Sequence, residues 1–119
     1  MPQAKAVMNV RRISATASII DVQGEVSAQA ENVLMSAYTE ASTATTRIII
    51  LNFSGLEYMN SSGIGLLVTL LIRVNRQKQH MLTCGLSDHY RNIFEITRLS
   101  DAIKIYETEA AALAATQAS

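Results

Sequence analysis

Two adjacent hydroxyls, Ser61 and Ser62, lie in the run Asn60-Ser61-Ser62-Gly63-Ile64-Gly65, between an apolar stretch ending at Met59 and a leucine-rich segment starting at Ile64. A serine at the start of a helix has two chemistries open to it. Its oxygen can accept a hydrogen bond from a first-turn amide as an N-cap, a role Ser62 could also fill. No capping box favours either serine, because Ile64 and Gly65 sit where a Glu or Gln would belong. The other chemistry is modification: a phosphoryl group on Ser61 would meet free amides and the positive end of the helix dipole.

The remaining reactive residues assemble less well. Gly63-Ile64-Gly65 follows a strand as a dinucleotide-binding turn does, but Val68 occupies the place of its third glycine, and no Gly-Lys-Ser/Thr follows to make a phosphate loop. The two glycines instead fit a helix start that approaches its neighbours closely. Weak nucleotide binding without turnover stays open for the stretch from Asn52 to Gly63. His80 and Cys84 share one face of a strand but lie about 13 Å apart along it, too far to hold one metal ion. Cys84 reads as an inert buried thiol. Ser61 with His89 and Asp101 lacks the nucleophile elbow that hydrolysis on such a serine needs. Glu25 and Glu57 read as isolated loop acids, and Arg11, Arg12 and Arg47 as surface charges with snorkelling stems.

The chain that must position these residues has 119 of them, enough for one domain (1–119) with a single core. Hydrophobic residues make up 49%, charged residues 17%, and ten basic residues balance ten acidic ones, so neither disorder nor a nucleic-acid footprint is indicated. Local patches remain possible. The longest strongly apolar segment, Ile64 to Ile72, falls short of the ~20 residues that span a bilayer. The N-terminus has no export signal and Cys84 has no partner cysteine, so a cytoplasmic compartment is expected.

Alternation around Met8–Val10 and Ile20–Val22 predicts a hairpin of half-exposed strands. After Gly24-Glu25-Val26, Ser27 is a plausible cap for a helix whose inner face is Ala30, Val33, Leu34, Ala37, Tyr38 and Ala41, with Glu31, Asn32 and Glu40 outward. Ile48 to Leu51 is a continuous β-branched and apolar run, as a central strand covered on both faces requires. The strand is expected to stop there, with Asn52, Ser54 and Gly55 in a loop. Leu67, Leu70, Leu71 and Val74 mark the next helix, which ends among Arg73, Arg76 and Lys78. With Met81 to Cys84 this makes a βαβ unit and a parallel sheet. A helix from Ser87 with Tyr90, Ile93, Phe94 and Thr97 inward, an edge strand at Ile103–Ile105, and a C-terminal helix capped by Thr108 with a frayed tail (107–119) complete the chain.

The segment from Leu51 to Leu71, LNFSGLEYMNSSGIGLLVTLL, resembles the signature of STAS domains, and in particular of bacterial anti-sigma factor antagonists (anti-anti-sigma factors); Gly24-Glu25-Val26 and the order of elements extend the likeness over nearly the whole chain. The resemblance implies an α/β fold, a single STAS-type domain whose mixed, mostly parallel sheet has about five strands and about four helices. It implies a binding protein rather than an enzyme, with no cofactor. Its partners would be an anti-sigma factor serine kinase, bound when Ser61 is unphosphorylated, and a serine phosphatase, in a partner-switching pathway without direct nucleic-acid contact. The phosphoacceptor it implies is Ser61, with Ser62 second. The partner surface it implies takes in Glu25, Ser27, Asn52, Ser54, Met59, Asn60, Ser61, Ser62 and Gly63. Asn60, Asn52 and Ser27 stand where the family tends to have Asp, so carboxylates that a kinase could read are absent. The alternative is a STAS scaffold in a signalling or transport complex, without a serine switch.

Overall fold

The computed structural model describes residues 5–117. The elements are β1 (Val7–Arg12), β2 (Ala17–Val26), α1 (Glu31–Ala41), β3 (Ile48–Met59), α2 (Ser61–Arg76), β4 (His80–Cys84), α3 (Asp88–Ile96), β5 (Lys104–Tyr106) and α4 (Glu109–Gln117), with 3-10 turns at Ala28–Ala30 and Leu99–Asp101. The five strands lie in sequence order in one sheet. β1 runs antiparallel to β2, and β2 through β5 are parallel. A mixed, mostly parallel sheet with four helices is the expected architecture. Right-handed crossovers between successive neighbours put α1, α2 and α3 on the same side.

The central run does face two layers. Ile49 and Leu51 point into the larger core with Ile20, Val22, Leu34, Leu67, Leu70 and Phe94, while Ile50 joins Ile19, Leu82, Cys84 and Ala112 under α4. Phe53 and Phe94 meet edge to face with ring centroids 6.4 Å apart. α2 buries Leu66, Leu67, Leu70 and Val74. At roughly 1.5–3 kcal/mol for each large side chain, this stripe is what fixes the helix, and with it Ser61, to the sheet.

Several local expectations are corrected. β3 does not stop at Leu51 but continues to Met59, because residues Gln23 to Val26 of β2 supply it with backbone partners. Ser54 and Gly55 are thus strand residues, and so are Glu25 and Glu57. Twelve residues of β3 run against ten of β2, and register shifts at Asp21/Gln23 and Gly24/Glu25 take up the difference. Such bulges let polar and glycine residues stay in a ladder. Val33 is exposed, lying outside the face defined by Leu34, Ala37, Tyr38 and Ala41. Thr97 is an exposed C-cap rather than an inner-face residue. Thr108 does cap α4, its hydroxyl accepting from the Ala111 amide at 3.1 Å. Fraying at residues 118–119 lies outside the described residues.

Candidate functional site

The end of β3 and the start of α2 are joined by a single residue, Asn60, in extended conformation. Its side-chain oxygen accepts the Gly63 amide at 2.9 Å, and its carbonyl accepts the Ile64 amide at 3.0 Å. Asn60 is therefore the N-cap, and neither Ser61 nor Ser62 performs the capping considered for them. Both serines are exposed first-turn residues, and among the described residues neither hydroxyl has a hydrogen-bond partner. Nor does any described group accept the Ser61 or Ser62 amide. Free hydroxyls and free amides thus coincide at the positive end of a 16-residue helix.

Gly63 sets how closely this helix end seats. A Cβ there would lie 2.2 Å from the Val26 carbonyl oxygen and 2.8 Å from Met59 Cγ. No side chain fits. The Asn60 amide donates to the same Val26 carbonyl at 3.3 Å, and the Met59 amide to the buried Tyr90 hydroxyl at 2.8 Å. These contacts tie the start of α2 to β2 and α3. Gly65 behaves differently: nothing lies within 4 Å of its would-be Cβ, so the expected close approach holds for Gly63 only.

Of the residues expected to form a partner surface, the structure gathers Glu25 and Ser27, either side of Val26, with Met59, Asn60, Ser61, Ser62 and Gly63. Ser27 precedes the 3-10 turn, not α1 itself, and its hydroxyl donates to Gln29 Oε1 at 2.7 Å instead of accepting from a backbone amide. Asn52 and Ser54 belong elsewhere. Asn52 lies about 20 Å from Met59 along the strand. Its amide donates to Asp21 Oδ1 at 2.9 Å, and its oxygen accepts from the Ser54 hydroxyl at 2.7 Å. Gly85, at φ +76, passes so close that a Cβ would meet Ser54 Oγ at 2.4 Å.

Asp21 also receives Arg11, whose guanidinium donates to both carboxylate oxygens at 2.6 and 2.8 Å and reaches Glu109 of α4 at 2.6 Å. Arg11 is not an ordinary surface charge. Its hydrogen bonds hold the Asp21 carboxyl below its usual range against the opposing effect of burial, and Asn52 adds to the depression. Arg11 and Asp21 do share a face of the predicted hairpin, a signal for their pairing, but no local pattern announces Glu109. Under α4, burial first and then Glu109 and Asp21 push the Cys84 thiol up to about 11, as an inert thiol requires. His80 and His89 are both exposed, and the His89 ring lies edge to face against Tyr90 at 4.8 Å. Among the described residues no cluster of His, Cys, Asp and Glu is placed to hold a metal, and no helix is long and apolar enough to cross a membrane.

The model of the STAS domain family matches residues 8–112. An anti-sigma-B factor antagonist of Staphylococcus aureus is 32% identical over 88 residues, covering 74% of this chain and 82% of the relative. Among solved structures, an anti-sigma factor antagonist from Mycobacterium paratuberculosis superposes with a TM-score of 0.79 at 18% identity, covering 93% of each chain. The Bacillus cell-fate determinant SpoIIAA in its phosphorylated form gives a TM-score of 0.68 at 20% identity, covering 93% of this chain and all of the other.

Proposed function

The chain belongs to the STAS domain family, and from that premise we propose that it is an anti-sigma factor antagonist in which Ser61 is the phosphorylation switch. The role is that of a regulatory binding protein, in keeping with the similarity to the anti-sigma-B factor antagonist of S. aureus. Unphosphorylated, the chain binds an anti-sigma serine kinase in the cytoplasm and so frees a sigma factor; phosphorylated on Ser61, it releases the kinase until a phosphatase restores the hydroxyl. One observation carries this assignment. Asn60 satisfies the cap, so the Ser61 hydroxyl is exposed and has no structural duty among the described residues. Ser62 is the second choice for the acceptor.

The energetics suit a switch. A phosphoryl group adds about −1.5 to −2 charge at neutral pH. At Ser61 the free first-turn amides and the helix dipole offset that charge within the domain. In an interface formed around a neutral hydroxyl, the dianion has no counter-charge. A penalty of about 3 kcal/mol weakens binding roughly 100-fold. Glu25 and Ser27 would border the contact, with the buried Met59 and Gly63 seating the helix start beneath it, whereas Asn52 is committed to Asp21 and Ser54 to Asn52, and both leave it. With Asn at position 60 the border has no carboxylate there, and kinase choice should depend on that amide.

The test is affinity for the anti-sigma kinase. Ser61→Ala should bind like the parent protein, and Ser61→Asp should bind at least tenfold more weakly at unchanged thermal stability. Equal binding by the two variants contradicts the proposal.

A further inference from the structure

The formal net charge of zero conceals a separation of charge along the molecule. In this topology the N-terminal ends of the parallel strands and the C-terminal ends of α1, α2 and α3 share one pole, and the start of α2 lies at the other. The first pole holds Arg12, Arg47, Arg73, Arg76, Lys78 and Arg98, against Glu40, Glu95 and Asp101. Of these, only Arg98 and Asp101 are paired with each other; Arg47, Arg73, Arg76 and Lys78 make no ion pair among the described residues. Ser61 and Arg76 are about 22 Å apart along α2 at 1.5 Å per residue. That exceeds two Debye lengths at physiological salt, roughly 8 Å each, so a partner at the basic pole does not feel Glu25, Glu31, Glu57 and Asp88, which lie at the strand ends and helix starts of the other.

Apolar side chains accompany these cations. The exposed isoleucines of the chain are Ile13, Ile72 and Ile96, at 41%, 48% and 71% exposure. Each adjoins an arginine: Ile13 follows Arg12 in the β1–β2 turn, Ile72 precedes Arg73 near the end of α2, and Ile96 at the end of α3 lies two residues before Arg98. Between α1 and α2, Arg73 and Arg76 with Tyr38 and Gln77 line a cleft of about 250 Å³.

We propose that this pole is a docking surface for an anionic phospholipid membrane. Guanidinium and ammonium groups would lie at the headgroup level, the Arg73–Arg76 cleft would take a headgroup phosphate, and the three isoleucines would enter the acyl boundary. Lipid is favoured over nucleic acid because the pole offers bases little to stack on: Tyr38 is buried, its hydroxyl spent on Gln79 Oε1 at 2.8 Å, and among the described residues His80 is the single exposed ring there. It is favoured over an acidic protein because the isoleucines project singly from separate turns, as insertion into a fluid surface allows. The surface leaves Ser61 facing away from the membrane and does not depend on the switch assigned above.

The experiment is co-sedimentation of the full chain with phosphatidylcholine vesicles, with and without about one-third phosphatidylglycerol. Each cation near an anionic leaflet is worth roughly a fivefold gain in affinity. Binding should therefore be confined to the anionic vesicles, weaken as salt rises, and fall at least tenfold in an Arg73→Glu/Arg76→Glu double variant. Ile96→Ser should weaken it severalfold. All these side chains are exposed, and circular dichroism of each variant should match the parent. Equal pelleting with both vesicle types, or full retention in the double variant, overturns the proposal. Preferential capture by single-stranded RNA or by polyglutamate overturns it too, reassigning the pole to nucleic acid or to an acidic protein.

Discussion

Two glycines two residues apart in α2, on opposite faces of the helix, should respond to the same substitution with opposite signs. Gly63→Ala forces a methyl against the Val26 carbonyl, 2.2 Å away, which only a shift of the whole helix start can relieve. The expected loss is about 3 kcal/mol in urea unfolding. Gly65→Ala meets nothing within 4 Å and replaces a poor helix former, so it should gain about 0.5–1 kcal/mol. A shared sign would mean that the seating of α2 is misjudged. At Asn60, alanine removes the acceptor for the Gly63 amide and should cost about 1 kcal/mol in the same assay. Asn60→Asp keeps the acceptor and adds a charge favoured by the dipole, so it should be neutral to slightly stabilising. The serine pair, the glycines and the helix start are all legible in the sequence, because residue type and local spacing mark a strand-to-helix junction. Which residue caps was not, since Asn60, Ser61 and Ser62 are all good caps and only the backbone angle of the junction chooses among them.

At the scale of elements, β1, β2, β3 and α4 are held together by one polar chain running Glu109–Arg11–Asp21–Asn52–Ser54. Asp21 has a depressed pKa in the folded state, so its contribution is present above the ordinary carboxylate range and is lost as pH falls through the lower folded value. Asp21→Asn should therefore cost about 1 kcal/mol at pH 7, discounted for partial exposure, and progressively less below about pH 4. Urea titrations of both proteins across that range measure the convergence; a gap constant with pH would show that the Arg11–Asp21 pair contributes nothing as an ion pair. Periodicity identifies the strands and helices themselves, from the β-branched run of β3 to the leucine stripe of α2. The length of β3 was hidden, because its middle is full of turn formers, Asn52, Ser54 and Gly55, and it stays a strand beyond them only through pairing with residues Gln23 to Val26. The Arg11–Glu109 contact was hidden for a similar reason: 98 positions separate the partners.

For the molecule as a whole, the fold converts a net-neutral chain into one with two distinct poles, a free serine at a helix N-terminus on one and a basic surface on the other. The central claim concerns the serine. It is tested most directly by phosphopeptide mass spectrometry on protein isolated from its native cells, reading the tryptic fragment from Ile48 to Arg73. Fragmentation must localise the phosphate, because Ser54, Tyr58, Ser61, Ser62 and Thr69 share that peptide. The account predicts phosphate on Ser61, at an occupancy that changes with growth conditions. Its absence from Ser61 under every condition, or its presence on another residue of the fragment instead, would contradict the switch.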